Sequence, residues 1–318
     1  MVNWADFPSL AILDDGRIAA HWLERSSAGT HAYDVLLAVS SDGGRTWPDP
    51  VRPHGDGTIT EHGFVSLLPR SGGFEVFWLD GRDYAHGGPH PGTQLRHARW
   101  SADAIGPETV LDDRVCDCCQ TDAVETDDGP LVVYRDRSTD ELRDIALVRA
   151  IEQAWSQPET VSPDGWRIEA CPVNGPAAAA RGASVALAWH TRAGDEPRVL
   201  VAFSRDSGAT LSAPLRLDDG GALGRVDVAW LDGDRAIVTW LADRGSHAAI
   251  VLRAVGATGA MGPVLEIART SADRASGFAK AVVLDGDVYV AWTDTEGGTT
   301  RVRVLRVPGA GLRSTTVA

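Results

Sequence analysis

The sequence contains no long apolar run. No segment approaches the roughly 18 consecutive apolar residues that a membrane-spanning helix needs, so we predict no insertion into a membrane. The chain opens Met1-Val2-Asn3-Trp4 and enters a predicted strand at once, without the charged leader and apolar core of a signal peptide. Because so abrupt a start is typical of a trimmed boundary, we expect an extracytoplasmic protein, periplasmic or secreted, whose signal is missing from this sequence. A cytoplasmic protein is the alternative.

Clusters of positive charge are also missing. The chain carries 30 Lys and Arg residues against 44 Asp and Glu residues, and the basic residues are scattered along it. Its net charge of -14 should repel phosphate backbones and anionic membrane surfaces, so nucleic acid is not an expected partner. Hydrophobic residues make up 43% of the chain, which is ample for a folded core, and we expect a monomer.

What the sequence does contain is an internal repeat. Short apolar strands that end in an aromatic residue recur at intervals of 51 to 56 residues, at Trp22, Trp78, Tyr134, Trp189, Trp240 and Trp292. A further strand precedes each of them, separated from it by turns such as Asp127-Asp128-Gly129, which are typical of hairpins. Four short antiparallel strands per period predict the blade of a propeller. We therefore predict an all-β protein, a six-bladed β-propeller with four antiparallel strands per blade, as a single domain over residues 1–318.

Two turns carry the same eight-residue pattern. Ser40 to Trp47 reads Ser-x-Asp-x-Gly-x-Thr-Trp, and Ser204 to Leu211 repeats it with Leu in place of Trp. The Asp should cap turn amides, the Gly should allow a positive φ, and we expect Trp47 to pack between blades. These residues make the chain resemble the Asp-box (BNR-repeat) sialidase superfamily, which implies a sialidase-like propeller.

Polar residues should converge at one mouth of the central channel, where the innermost strands begin and the second strands end. Such a convergence is the usual architecture of a ligand pocket, although pairing of these charges around a rim is the alternative. The predicted catalytic residues are Asp80, Asp136 and Glu61. The predicted substrate-binding residues are Asp6, Glu24, Arg82, Arg135, Arg137, Asn174, Arg225 and Asp227. The predicted ligand is a glycan or another anionic small molecule, because arginines bind carboxylates and sulfates bidentately.

The resemblance implies an arginine triad, an Asp acid or base, and a Tyr nucleophile with a Glu partner. The chain departs from that pattern: Asp6-Phe7-Pro8 stands where the family has Phe-Arg-Ile-Pro. Tyr134 and Tyr289 lie in predicted strands, and Tyr33 and Tyr84 lie in loops without an obvious Glu partner. Sialic acid cleavage is therefore not favoured, whereas paired carboxylates such as Asp80 and Asp136 could serve a different glycoside reaction.

The only four cysteines are Cys116, Cys118, Cys119 and Cys171, and the repeat predicts that they converge, with Cys119 close to Cys171. Three interpretations stay open: two disulfides, a thiolate site for copper (as Cu(I)) or zinc with His62 as a further ligand, or buried thiols. The two cysteine segments resemble those of a bacterial sialidase-like subgroup that lacks the usual catalytic motifs. A metalloenzyme or metal-binding protein and a non-catalytic interaction propeller are thus the alternatives to a glycoside hydrolase.

Overall fold

The computed structural model describes residues 3–28, 31–87, 91–152, 154–295 and 299–312. Its strands form six sheets whose hydrogen-bonded neighbours are antiparallel, and helix is almost absent. The predicted six-bladed β-propeller is confirmed, although the blades contain three to five strands instead of a uniform four. The chain divides into two compact units, which we describe separately, and the single domain over 1–318 stays a prediction.

The first unit contains the first three sheets, apart from a few residues at strand ends. Sheet 1 consists of β1 (Ser9–Ile12), β2 (Ile18–Arg25) and β3 (Tyr33–Ser40). Sheet 2 consists of β4 (His62–Arg70), β5 (Gly73–Asp80), β6 (Thr93–Ser101), β7 (Ala104–Ile105) and β8 (Thr109–Val115), with the short helix α1 (Asp83–His86) after β5. Sheet 3 consists of β9 (Asp122–Thr126), β10 (Gly129–Arg135), β11 (Ile145–Ile151), β12 (Ala154–Trp155) and β13 (Glu159–Ser162).

The second unit contains the other three sheets. Sheet 4 consists of β14 (Ala177–Arg181), β15 (Ser184–Thr191), β16 (Arg198–Ser204) and β17 (Leu215–Arg216). Sheet 5 consists of β18 (Ala222–Trp230), β19 (Arg235–Asp243), β20 (Ala248–Gly256) and β21 (Leu265–Thr270). Sheet 6 consists of β22 (Lys280–Leu284), β23 (Asp287–Asp294) and β24 (Arg301–Val307). Short 3-10 helices lie at Ala193–Asp195, Arg274–Ser276 and Gly309–Leu312.

The recurring aromatic residues belong to the second strand of each sheet, as the repeat predicts. Trp78, Trp189, Trp240 and Tyr134 are at most 1% exposed, so each anchors the core of its own sheet. These strands are buried along most of their length because a neighbouring strand lies on either side and apolar side chains cover their faces. The repeat therefore places the core of the molecule as well as its strands.

Both predicted Asp boxes are formed. Asp42 accepts hydrogen bonds from the backbone N–H groups of Arg45 and Thr46 (2.9 Å each) and from the hydroxyl of Thr46 (2.7 Å). Asp206 makes the equivalent contacts with Thr210, at 2.8 and 2.7 Å. The expected packing of Trp47 between blades is wrong: the residue is 39% exposed, because its ring folds over its own turn and donates to the carbonyl of Gly44 at 3.1 Å.

A polar side chain links neighbouring sheets at the start of three innermost strands. Asp6 accepts from the backbone N–H of Phe64 (2.7 Å), Asn174 from that of Arg225 (2.8 Å), and Asp227 from that of Ala281 (2.6 Å). The first two links need glycine next door, because a Cβ on Gly63 or Gly224 would lie about 2 Å from the linking oxygen. Three of the predicted substrate-binding residues are thus engaged in holding sheet to sheet.

Candidate functional site

The strand connections of the first unit bring together a group of carboxyl side chains around Glu61. Glu61 immediately precedes β4, and its side chain is 23% exposed. Burial raises its pKa to about 8, and the nearby charges of Asp6 and Asp117 raise it in the same direction. Glu61 is therefore a carboxylic acid that keeps its proton at neutral pH while part of it faces solvent.

Asp6 lies deeper in the same group. It is 6% exposed, and burial raises its pKa to about 7 against the opposing effect of its hydrogen bond from the Phe64 amide. The side chain of Gln120, which lies just before sheet 3, donates to the carbonyl of Ala5 at 2.8 Å. This hydrogen bond fixes the loop that carries Asp6. Asp6 is thus positioned by two neighbouring sheets.

Asp117 is a further carboxyl group near Glu61, and unlike Glu61 it accepts hydrogen bonds from an arginine. One guanidinium nitrogen of Arg137 donates to both of its oxygens, at 2.8 and 2.9 Å, and the hydroxyl of Tyr84 donates at 3.3 Å. The side chain of Asp117 is 33% exposed. Such charge-assisted hydrogen bonds favour the ionised form of a carboxyl group. Asp117 is therefore held by Arg137 and Tyr84, and its charge is one of the causes that raise the pKa of Glu61.

Tyr33 corrects one expectation drawn from the sequence. The sequence predicts a loop at Tyr33, whereas Tyr33 begins β3 and its backbone pairs with that of Glu61 as an isolated parallel bridge. Burial raises the pKa of Tyr33, and the charge of Glu61 raises it further, so the phenol stays protonated. A side chain that is only 3% exposed is better suited to positioning Glu61 than to attacking a substrate.

Asp80 belongs to a buried network of charges. The side chain of Asp80 has no exposed surface and accepts from Arg82 (2.8 and 2.6 Å) and from the ring N–H of Trp78 (2.8 Å). Burial opposes ionisation, but the hydrogen bonds from Arg82 and the positive charge of His62 outweigh it, so the pKa of Asp80 is lowered. The Arg82 guanidinium also contacts Glu108 at 2.7 Å. Predicted catalytic Asp80 and predicted ligand-binding Arg82 thus satisfy one another inside the protein.

Asp136, the third predicted catalytic carboxyl, follows β10. Burial and the charge of Asp112 raise its pKa to about 6, while the amide of Arg137 donates to it at 2.6 Å. Neither Asp80 nor Asp112 reaches it by a hydrogen bond within the described part of the chain. Asp136 therefore holds the backbone of Arg137, the residue that in turn holds Asp117.

The remaining predicted ligand-binding residues are not gathered with Glu61. Glu24 is exposed on β2, and Arg135 is 1% exposed and donates to the carbonyl of Arg143. In the second unit, Arg225 donates to the hydroxyl of Ser276 (2.7 Å) and to the carbonyl of Gly277 (2.8 Å). The guanidinium groups of these arginines are therefore engaged by protein acceptors.

The cysteines converge, but in a different pairing from the predicted one. Cys118 and Cys171 form a disulfide with Cα atoms 6.1 Å apart, whereas Cys116 and Cys119 keep their thiols and are each 1% exposed. Of the three interpretations, two disulfides are therefore not what forms, and the predicted approach of Cys119 to Cys171 is wrong: Cys118 meets Cys171, because the Cys119 side chain is buried in the core. The sulfur atoms of Cys116, Cys118 and Cys119 all lie within 4.8 Å of one another.

Cys116 has an electropositive environment. The guanidinium of Arg143 donates to its sulfur at 3.3 Å, and the sulfur of Cys118 is 3.9 Å away. Burial alone would raise the pKa of the thiol, but the hydrogen bond with Cys119 and the charge of Arg143 outweigh burial and lower the pKa to about 7.

The predicted metal ligand His62 belongs to a different cluster from the cysteines. Its Nδ1 lies 3.1 Å from the carbonyl of Tyr33, and its Nε2 lies 3.2 Å from Asp56 and 3.6 Å from Asp80. His54 stacks on its ring with centroids 3.8 Å apart, and burial together with the charge of His62 lowers the pKa of His54 to about 4. His62 is therefore not grouped with the cysteines, and the copper or zinc site stays a prediction for the cysteines alone.

Comparison with known proteins identifies the architecture. Neither a protein-family model nor a curated protein matches the chain. Among solved structures, the intramolecular trans-sialidase from Ruminococcus gnavus aligns with a TM-score of 0.60 at 11% identity, over 96% of this chain and 94% of its own. This chain has the six-bladed fold of sialidases.

Two other structures show how widely the sialidase-like fold is shared. A NanB sialidase from Streptococcus pneumoniae aligns with a TM-score of 0.58 at 11% identity, over 95% of this chain and 68% of its own. An α-L-arabinanase from Penicillium chrysogenum aligns with a TM-score of 0.58 at 14% identity, over 96% and 93%. The resemblance expected from the Asp boxes is confirmed for the fold, and the chemistry has to be argued from this chain's own residues.

Sequence reasoning missed Asp117, Arg143, His54 and Asp56, which define the electrostatics of these clusters, and it considered Tyr84 only as a nucleophile. One signal was available, since Asp117 stands inside the Cys-Asp-Cys-Cys segment that the sequence singles out. In the described residues, no helix combines the length and the apolar character that crossing a membrane requires.

Proposed function

We propose that the chain binds and hydrolyses a glycan at the group formed by Glu61, Asp117, Asp6, Arg137 and Tyr84. The observation that carries the proposal is the contrast between two partly exposed carboxyl groups. Glu61 keeps its proton to about pH 8, whereas Asp117 accepts charge-assisted hydrogen bonds from Arg137. Glycoside hydrolysis requires such a pair, in which one group donates a proton and the other acts as a carboxylate.

The proposed roles follow from the raised pKa of Glu61 and from the hydrogen bonds that Asp117 accepts from Arg137. Glu61 donates its proton to the glycosidic oxygen as the bond to the leaving group breaks, and Asp117 either activates water or attacks the sugar carbon. Arg137 and Tyr84 orient Asp117, and Arg137 is itself held by Glu141, to which its Nε and Nη2 donate at 2.8 to 3.1 Å. Asp6 holds the first strand of sheet 2 and adds a nearby charge that keeps Glu61 protonated.

A neutral glycan is the substrate class that this site supports best. The arginines that were candidates for binding a substrate carboxylate are already engaged by the protein. They contact Asp80, Glu108, Asp117, Glu141 or backbone carbonyls. Binding an anionic sugar there would require breaking those contacts. The sialidases and the arabinanase named above place sialosides and arabinosides among the compounds to be tested.

The test compares chromogenic glycosides, neutral and sialylated, in the wild type and in two site variants. Glu61→Gln keeps the shape of the side chain but removes its proton donor, and Asp117→Asn removes the carboxylate. Each should lower kcat by roughly 10²- to 10⁴-fold on the best neutral substrate. Glu24→Gln, at the exposed end of β2, is the matched control and should leave the rate unchanged.

The pH profile provides a second readout. Because Glu61 acts in its protonated form, kcat/KM should fall as the pH rises through about 8, and the basic limb should move in variants that change the Glu61 environment. Turnover of no glycoside by folded wild-type protein, or equal turnover by Glu61→Gln, would contradict the proposal.

A second candidate function is metal binding by the cysteines, favoured by the clustering of three sulfur atoms within 4.8 Å. We propose that reduction of the Cys118–Cys171 disulfide allows Cys116, Cys118 and Cys119 to hold Cu(I) or Zn²⁺, since soft thiolates suit these ions. Mass spectrometry should then find near-stoichiometric metal in reduced protein and none in Cys119→Ser. Equal metal content in the variant would overturn this assignment.

We also propose an extracytoplasmic location. The support is the Cys118–Cys171 disulfide, since such bonds persist mainly in oxidising compartments. Immunoblotting of fractionated cells tests it, and recovery with the cytoplasmic fraction would argue against it.

A further inference from the structure

We propose that Cys116, Cys118 and Cys171 form a thiol–disulfide exchange centre, whose outside substrate is a compound bearing a thiol or a disulfide. Cys116 is the resident nucleophile, Cys118 is the sulfur it attacks, and Cys171 is the sulfur that is released. The proposal does not depend on the glycoside chemistry proposed above, because neither Glu61 nor Asp117 takes part in the exchange.

The geometry supplies a nucleophile next to a bond it can attack. The Cys116 sulfur lies 3.9 Å from the Cys118 sulfur, and Cys118 is bonded to Cys171. Thiol–disulfide exchange proceeds by attack of a thiolate on one sulfur of a disulfide, so this contact places the reactants together. No movement of a distant segment is needed to bring them into contact.

Arg143 supports the thiolate. Its Nη1 donates to the Cys116 sulfur at 3.3 Å, and its Nη2 contacts Glu141 at 2.8 Å, which fixes the guanidinium. A guanidinium is thus fixed against the attacking sulfur, which lies 3.9 Å from the Cys118 sulfur with which it forms the new bond. Arg143 is therefore a positioning and charge-supplying residue for Cys116.

The three cysteines differ in access to solvent. Cys116 is 1% exposed, Cys118 is half-buried, and Cys171 is exposed on the loop that precedes sheet 4. A reagent in solution thus reaches Cys171 before it reaches Cys116. Because Cys171 is exposed, it is the sulfur that can exchange with molecules in solution. Because Cys116 is buried, the attacking thiol is protected from direct modification.

The exchange step is balanced without an added oxidant or reductant. The Cys116 thiolate forms a bond to the Cys118 sulfur, the Cys118–Cys171 bond breaks, and its electron pair leaves on the Cys171 sulfur. One disulfide is formed and one is broken, so no net oxidation occurs. The exposed Cys171 thiolate can then exchange with a disulfide in solution, or return to Cys118.

The experiment traps Cys171 at the moment of release. Chelator-treated, unreduced native protein is incubated with iodoacetamide, quenched with acid and digested with trypsin. Cleavage after arginine places Cys116, Cys118 and Cys119 in peptide 115–135 and Cys171 in peptide 168–181. The initial disulfide joins the two peptides, whereas exchange yields alkylated 168–181 and an internal disulfide in 115–135.

In the wild type, alkylated peptide 168–181 should accumulate as the joined peptides disappear. Cys116→Ser should retain the Cys118–Cys171 bond and slow this alkylation at least about tenfold, because the resident thiolate is lost. Arg143→Gln keeps the thiol and should slow alkylation to a lesser degree. Cys119→Ser keeps Cys116 and Cys118 but changes the hydrogen bond that Cys119 makes with Cys116, so exchange should continue in it and stay faster than in Cys116→Ser.

Three outcomes would overturn the proposal. The first is alkylation of Cys171 in Cys116→Ser as fast as in the wild type. The second is persistence of the joined peptides in folded wild-type protein. The third is loss of alkylation in Cys119→Ser instead of Cys116→Ser, which would assign the attack to the other thiol. Glycosidase activity is not the readout, so failure here leaves the proposed hydrolysis untouched.

Discussion

At the scale of single residues, burial decides which carboxyl groups of this chain keep their protons. Asp6, Glu61 and Asp136 have pKa values raised to about 7, 8 and 6, with burial as the largest cause in each. Asp80 is more deeply buried than any of these three but has a lowered pKa, because Arg82 donates to both of its oxygens. The presence or absence of a facing cation therefore separates proton donors from structural ion pairs.

The sequence could not make that separation. Asp80, Asp136 and Glu61 all stand at strand ends and look alike in the repeat, so their roles depend on partners from other strands. Arg82, two residues from Asp80, was visible in the sequence, but its folding back onto Asp80 was not. Only the position of these residues could be predicted, since burial is a property of the assembled sheets.

Asp6→Asn should change how stability depends on pH. With a folded-state pKa of about 7 and an unfolded value of about 3.9, the unfolded state loses the Asp6 proton first. Wild-type stability should thus fall as the pH rises between these values, and the fall stops above the folded pKa. Asn lacks this proton, yet its amide oxygen can still accept from the Phe64 amide, as Asn174 accepts from Arg225.

Urea unfolding at acidic and at mildly alkaline pH measures the effect. The free energy of unfolding of Asp6→Asn relative to the wild type should rise with pH by about 2 to 4 kcal/mol. Asp227→Asn is the matched control: Asp227 makes the same kind of backbone link but is also paired with Lys280 at 3.0 Å, so no such gain is expected. A pH-independent difference for Asp6→Asn would show that Asp6 is ionised in the folded protein.

At the scale of strands and turns, the sequence was an accurate guide. Turn signals and aromatic positions depend on local conformation and on a repeated environment, so all six second strands and both Asp boxes could be located before the structure. The packing of Trp47 could not be predicted, because its ring can cover either its own turn or a neighbouring blade. The same holds for the cysteine segment, where the choice between Cys118 and Cys119 depends on which side chain the turn after β8 directs outward.

The repeated links at the innermost strands show why the predicted ring of ligand-binding residues was only partly a site. Phe64 and Arg225 occupy equivalent bulges with positive φ values of 52° and 56°, each following a glycine that a linking side chain covers. A repeat places polar groups at every such position whether or not a ligand binds. Glu61 and Asp117 differ from Asp6, Asn174 and Asp227 because they are not the residues that make this backbone link.

At the scale of the whole molecule, charge and strand edges bear on assembly. The net charge of -14 disfavours close association of copies. In the described residues, β24 ends sheet 6, and an unpaired strand edge is a hazard because another chain can add to it. Its exposed Val302 and Val304 alternate with Arg301 and Arg303, which place positive charge along that edge. The arginines should therefore protect the edge.

The wild type should elute as a monomer of 33.8 kDa in size-exclusion chromatography with light scattering. The double variant Arg301→Val, Arg303→Val should form dimers or larger species, because it removes the charges from β24 and leaves a continuous apolar edge. Arg192→Val, which removes a 59% exposed arginine from a loop after β15, controls for the loss of a surface arginine away from β24 and should remain monomeric. A monomeric double variant would mean that something other than these arginines keeps the edge unpaired, and a dimeric wild type would contradict the expected monomer directly.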